Sequence, residues 1–193
     1  MSATAKKISR REQILSKASG LFREKGYNAT SMRLLAEHMD MEAASLYNHI
    51  SSKEELLKEI CFSTGETYLK HLDEAEASAL SPREKVEQLI RFQVKMMLSS
   101  FEAVYVSQRD WKHLKDPFLS EFLEKRRSYE KRFSDIIEEG IKQGQFKKIN
   151  TYVAVLSILS AIRGIEFWHR HKKGVSAAAL ENDMTRLLIN GLS

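Results

Sequence analysis

Ala43, Ala44, Ser45, Asn48 and His49 share one side of a short stretch, Ala43–Ile50, whose other side carries Leu46 and Ile50 one turn apart. Small and hydrogen-bonding side chains outside, with apolar ones inside, suit a helix that enters a groove closely and bonds what lies there. Met39-Asp40-Met41-Glu42, just before it, is long enough for a turn and too short for a loop. Asp40 is a residue type that tolerates a left-handed backbone, so it can hold the corner. Leu34, Leu35, Ala36 and Met39 give the preceding stretch its own apolar face, and Ser31 is placed to cap it. Two short helices and a sharp corner make a helix-turn-helix, whose chemistry is contact with duplex DNA.

Other chemistries find less support. Histidines 38, 49, 71, 113, 169 and 171 show no metal-ligand spacing, and the single cysteine, Cys61, has no partner for a disulfide. The chain has no phosphate-cradling glycine loop and no nucleophile elbow. Neither an enzyme, a metal nor another cofactor is expected.

The elements that must carry the reading head follow from start and stop signals. Ser9-x-x-Glu12 is a capping box, and Ile14, Ala18, Leu21 and Phe22 recur at helical spacing up to Gly26, which closes the helix. Residues 1–8 read as a basic arm; Lys6, Lys7, Arg10 and Arg11 lie before or within that helix's first turn. Ser52-x-x-Glu55 is a second capping box, opening a long helix to about Ala77 with Leu56, Leu57, Ile60, Thr64, Tyr68 and Leu72 inward. Ser81-Pro82-x-Glu84 opens the next, to Leu98, and further helices are expected over Glu102–His113, Phe118–Gly140, Tyr152–His169 and Ala177–Leu192. The fold class is all-α: an N-terminal helix-turn-helix domain, residues 1–52, and a C-terminal helical domain for ligand binding and dimerisation, residues 53–193, begun by the linking helix.

Composition agrees with this division. Two prolines and eight glycines in 193 residues, 42% of them hydrophobic, describe a helical chain able to bury a core. The net charge is +5, of which residues 1–58 supply +3, from ten Lys/Arg against seven Asp/Glu. That balance permits a polyanionic partner without demanding one. A lone cysteine fits a reducing cytoplasm, and MSATAKKISRREQ holds no apolar signal region. The most apolar run, Tyr152–Trp168, is interrupted by Arg163 and Glu166, which argues against a membrane span. Arg163 inside that run must pair with a carboxylate, meet an anionic ligand or reach solvent, in that order of expectation. The last two helices carry more apolar surface than a body this size can cover. They are read as a homodimer interface, with a core helix under a satellite helix as the alternative. Phe92, Met96, Tyr105, Trp111, Tyr129, Phe133 and Trp168 either pack a core or line an apolar pocket.

The stretch Gly26-Tyr27-Asn28-Ala29-Thr30, Ala36, Leu46-Tyr47-Asn48-His49-Ile50, Ser52-Lys53-Glu54-Glu55-Leu56 resembles the DNA-binding unit of the TetR family of bacterial transcriptional regulators. The likeness spans residues 9–58, with Asp40 and Ala44 where glycines are frequent and Glu42 where a small hydroxyl residue often stands. It implies a cytoplasmic, homodimeric regulator, more often a repressor, bound to a double-stranded DNA operator. Its expected DNA-facing set here is Arg10, Thr30, Arg33, Ala43, Ala44, Ser45, Tyr47, Asn48, His49 and Lys53, with Tyr47 and Lys53 on phosphate. Further on, Trp111-Lys112-His113-Leu114, Arg126-Arg127-Ser128-Tyr129-Glu130, Gly140-Ile141-x-x-Gly144-x-Phe146 and Trp168 are similar to TetR-type repressors of fatty-acid and sterol-ring breakdown, a group that responds to acyl-CoA thioesters. That similarity implies a small-molecule effector with an acyl body and an anionic head. Arg109, Arg126 and Arg127 are the candidates for the head, with Arg163 a further cation. The alternatives are a DNA-binding factor with no small-molecule effector and a helical protein-interaction module.

Overall fold

The computed structural model describes residues 9–171 and 174–192, and the basic arm expected over residues 1–8 lies outside them. Among the described residues the chain forms ten α-helices and no strand. They are α1 (Arg10–Lys25), α2 (Met32–Glu37), α3 (Ala43–Tyr47), α4 (Lys53–Ala77), α5 (Pro82–Ser99), α6 (Phe101–Arg109), α7 (Phe118–Lys142), α8 (Thr151–Arg163), α9 (Ile165–His171) and α10 (Ala177–Asn190).

Helix starts obey local chemistry. The side chains of Ser9, Ser31, Ser52, Ser81 and Asn150 each accept a backbone N–H in the first turn of the following helix, and the boxes at Ser9/Glu12 and Ser81/Glu84 are complete. At Ser52 the box is only half formed. Its hydroxyl accepts the Glu55 N–H, but the Glu55 carboxylate takes the N–H and hydroxyl of Ser51 instead, at 2.8 and 2.6 Å. Asp40 turns the corner between α2 and α3 at φ 51, as its tolerance of a left-handed backbone predicts.

Helix ends depart more often from the sequence pattern. The helix expected over Ala43–Ile50 stops at Tyr47. Just past that end Arg11 reaches from α1 and donates to the His49 carbonyl at 2.5 Å, a group that a helix terminus leaves unpaired. The expected helix Glu102–His113 breaks at Asp110 into α6 and a single tight turn, Trp111–His113. Gly140, expected to end α7, lies buried within it. A Cβ there would stand 2.4 Å from Cδ2 of Phe146, so the missing side chain is the seat of the Phe146 ring. The chain reverses later, at Gly144 with φ 72. Gly140→Ala is therefore expected to destabilise the protein by about 1–3 kcal/mol, despite the gain in helix propensity. Urea unfolding checks this; an unchanged or raised midpoint would refute the seat.

Two cores share α4. The first joins Ile14, Ala18 and Phe22 of α1, Leu35 and Ala36 of α2, Leu46 of α3, Ile50, and Leu56 to Cys61 of α4, and it also takes in Val106, Leu114 and Phe122. The second gathers Leu72 and Ala75 with the inward faces of α5, α7, α8 and α9 and the end of α10. Residues 151–171 have the length and apolarity of a membrane-crossing segment by composition. The chain breaks that segment at Gly164, and Ala154, Val155, Ile158, Ile162 and Ile165 enter the second core. The face left over is apolar and uncovered: Tyr152 is 64% exposed, Phe167 60% and Leu187 71%.

Candidate nucleic-acid interface and effector cavity

The reading head rests on one residue. Leu46 is fully buried and is the only buried side chain of α3, a helix of five residues. Ala44, Ser45, Tyr47, Asn48 and His49 are exposed around it. Ala43 is half-buried against the first core, so it offers less of itself than the helical pattern suggested. Arg33 is exposed and donates to Glu37 at 3.0 Å, and Arg10 donates to Gln13 at 3.0 Å. Thr30 departs from the expected set. It is buried, and its hydroxyl donates to the Gly26 carbonyl at 2.9 Å, bracing the loop after α1.

Lys53 stands at the first turn of α4, yet its ammonium is already engaged. It donates to the Tyr27 carbonyl at 3.0 Å and lies 4.3 Å from the centre of the Tyr27 ring. Arg11, in the first turn of α1, is a clamp: besides His49 it bonds Glu55 and Glu59, each at 2.7 Å. The Ser51 hydroxyl, and then Arg11, hold the Glu55 carboxyl down to about 2. Sequence offered no sign of this clamp, because its acceptors lie about forty residues away.

Tyr27 also links the head to the body. Its ring meets Phe22 edge-on at 5.2 Å and stacks on His113 at 4.9 Å. Burial, with Glu54 and Asp110 adding to it, pushes the Tyr27 phenol up to about 12. Beside this joint Arg23 of α1 approaches Glu102 of α6 at 3.8 Å.

Between α4, α5, α6, α7 and α8 lies a cavity of about 460 Å³. Of the expected effector residues, Arg126, Arg127, Tyr129 and Arg163 line it. Arg163 does not make the ion pair expected first. It is exposed and donates to the Ser160 hydroxyl at 2.9 Å, with no carboxylate partner among the described residues. Arg126 likewise has no ion pair among them; burial lowers its pKa and Arg163 adds repulsion, against the pull of Glu130.

The other expected residues lie elsewhere. Arg109 pairs with Glu166 at 3.3 Å, and Tyr105 packs between Arg109 and Phe101. Phe92 stacks on His71, Phe133 is fully buried, and Met96 leans on the second core. Trp168 donates its indole N–H to the Val175 carbonyl. Trp111 sits behind the cavity wall, its ring 5.2 Å from the Arg126 guanidinium. Sequence reasoning missed Tyr68, Gln93, Ser107 and Leu156, which also line the space. A polar residue at an inward helical position, as Gln93 is, was the available signal.

Among the described residues no group of His, Cys, Asp and Glu could hold a metal ion. A family profile for bacterial regulatory proteins of the tetR family matches residues 14–60, and one described as a tetracyclin repressor-like C-terminal domain matches residues 79–192. The chain belongs to the TetR family of bacterial transcriptional regulators, and it is a DNA-binding regulator rather than an enzyme. The HTH-type transcriptional repressor KstR2 of Rhodococcus jostii is 27% identical to it, over 98% of this chain and 94% of its own. The repressor of the same name from Mycolicibacterium smegmatis is 29% identical over 72% of this chain and 68% of its own. The structure of the ketosteroid transcriptional regulator KstR2 of Mycobacterium tuberculosis matches with a TM-score of 0.88 at 22% identity, covering 96% of this chain and 95% of that one. AibR in complex with isovaleryl coenzyme A and operator DNA matches with a TM-score of 0.81 at 21% identity, covering 95% and 98%. At those identities the two structures speak for the fold alone.

Proposed function

We propose that this chain is a homodimeric repressor, acting in the cytoplasm, that leaves its DNA operator when an amphipathic, anionic acyl ligand of the acyl-CoA class fills the cavity. The observation that carries the effector reading is the pair Arg126 and Arg163. Two guanidinium groups line one largely apolar cavity, repel each other, and have no carboxylate ion pair among the described residues. A phosphate-bearing head answers both, and an acyl body suits the walls made by Leu69, Phe122, Val155 and Leu156. KstR2 and AibR, both similar in fold, are named for a ketosteroid and solved with isovaleryl coenzyme A, respectively.

The route to DNA is short. Arg126 packs on Trp111, the turn carrying Trp111 places His113 on Tyr27, and Tyr27 holds Lys53 at the start of α4. A ligand that prefers one placement of Arg126 shifts the population of reading-head positions by its differential affinity; about 1.4 kcal/mol gives a tenfold change. On the DNA side, Ala44, Ser45 and Asn48 face base edges, while Tyr47, His49, Arg33, Arg10 and Lys53 serve phosphate. Dimerisation uses the uncovered face of α8, α9 and α10, which supplies the two-fold symmetry of paired half-sites.

The test starts from promoter fragments that the protein retains. Thioesters of short and medium acids are added to that complex, with CoA alone and the free acids as controls. Release at micromolar thioester with little effect of CoA alone is expected, and Arg126→Ala raises the concentration needed by about tenfold or more. If no thioester changes DNA affinity or Tm while an unrelated planar or cationic compound does, the cavity belongs to a drug-sensing regulator.

A further inference from the structure

Gln93 is 4% exposed and Tyr129 9%, yet both line the cavity, and the Gln93 amide donates to the Tyr129 hydroxyl at 2.7 Å. Tyr129 thereby uses an acceptor position, and its own proton meets no acceptor among the described residues. Tyr68, from α4, lines the same space with its ring centre 6.1 Å from that of Tyr129. Its hydroxyl is buried and has no hydrogen-bond partner among the described residues. So three polar side chains, from α4, α5 and α7, stand at the buried end of a cavity that the buried Ser107 and the apolar Leu69, Phe122 and Val155 also line. Two of them are phenols with a proton to give.

An unbranched hydrocarbon has no answer to such an end. Leaving buried donors unpaired is unfavourable, and a site built to hydrogen-bond a ligand oxygen discriminates strongly against the analogue that lacks it. We infer that the effector carries an acceptor oxygen, of carbonyl type, in the part of it that is buried, and that Tyr68 and Tyr129 are the residues that select for it. The inference rests on the reading of the cavity as the effector site. Both rings line the same space with their centres 6.1 Å apart, and the Gln93 amide holds the Tyr129 hydroxyl. The acceptor is either a keto group on the acyl body or the thioester carbonyl itself. Both offer the same lone pairs, and they differ in where along the ligand they lie.

The experiment uses full-length protein and a matched pair of thioesters, cyclohexylacetyl-CoA and its ring-ketone counterpart, titrated by calorimetry against wild type and Tyr68→Phe. The substitution removes one oxygen and keeps the ring, so the fold is preserved. In the free protein it removes an unpartnered buried hydroxyl, and the Tm is expected to rise by about 2–4 °C. Loss of about tenfold or more in affinity for the keto thioester alone places the acceptor on the acyl body. An equal loss for both thioesters places it at the thioester carbonyl. If Tyr68→Phe binds both thioesters as wild type does, or if it lowers the Tm of the free protein, the selecting role of Tyr68 is overturned. Failure of the folded wild type to bind either thioester overturns the effector reading itself, and the inference with it.

Discussion

Leu46→Ala is expected to weaken operator binding by more than about tenfold while the C-terminal body stays folded. The α3 helix has five residues, too few to hold a helix in water by its own hydrogen bonds. Its position is set by Leu46, which is 0% exposed in a core shared with Phe22, Leu35 and Ile50. Truncating a fully buried leucine costs about 2–5 kcal/mol, through lost transfer and the cavity left behind. Glu42 offers no side-chain cap that would offset the loss. The fraction of heads able to bind falls, and apparent affinity falls with it; in a dimer both heads are affected. The second core draws nothing from Leu46, so its folding should persist. Fluorescence anisotropy with a retained promoter fragment, beside a thermal melt, reads both. Near-wild-type DNA affinity in Leu46→Ala would show that α3 is held by something other than this contact.

The sequence made helix starts legible and left helix ends and faces less so. A cap such as Ser31 or Asn150 acts within three residues, so its chemistry is complete in the local string. What lies past α3 is instead fixed by Arg11 on the His49 carbonyl, and Gly140 sits inside α7 because Phe146 folds back onto it. Both causes depend on chain segments that meet only after folding. The same division holds for the site. Arg163 stood out because a cation inside an apolar run needs a reason, whereas Arg126 came only with the family resemblance; both line the cavity. Phe92, Phe133 and Trp168 could not be told from core residues, since an aromatic ring serves a core and a pocket wall by the same burial. Thr30 shows the limit of a matched motif. Its place in the string suggested DNA, while its hydroxyl braces the loop that presents Tyr27.

Leu187→Glu is expected to convert the protein from dimer to monomer at micromolar concentration and to reduce operator binding along with it. The residue is 71% exposed on α10 of the single chain, so a carboxylate there disturbs the monomer by no more than about 0.5 kcal/mol. Other exposed side chains make it informative. Tyr152, Val153 and Leu156 of α8 and Phe167 of α9 are also exposed, and apolar surface of that extent calls for a partner. In a two-fold pairing each substitution occurs twice, so two carboxylates must be desolvated within one interface. Charged replacements at Leu159 or Leu188, which the apolar pattern alone would recommend, are poorer tests. Both side chains pack against the chain's own second core, and their loss would mix misfolding with dissociation. Light scattering should give the mass of two chains for wild type and of one for Leu187→Glu, with the same helical content by circular dichroism. A paired operator then loses its two-headed grip, so binding becomes weak and insensitive to half-site spacing. Wild-type protein that is monomeric at micromolar concentration, or a Leu187→Glu protein that remains dimeric, would remove α8 and α10 as the interface.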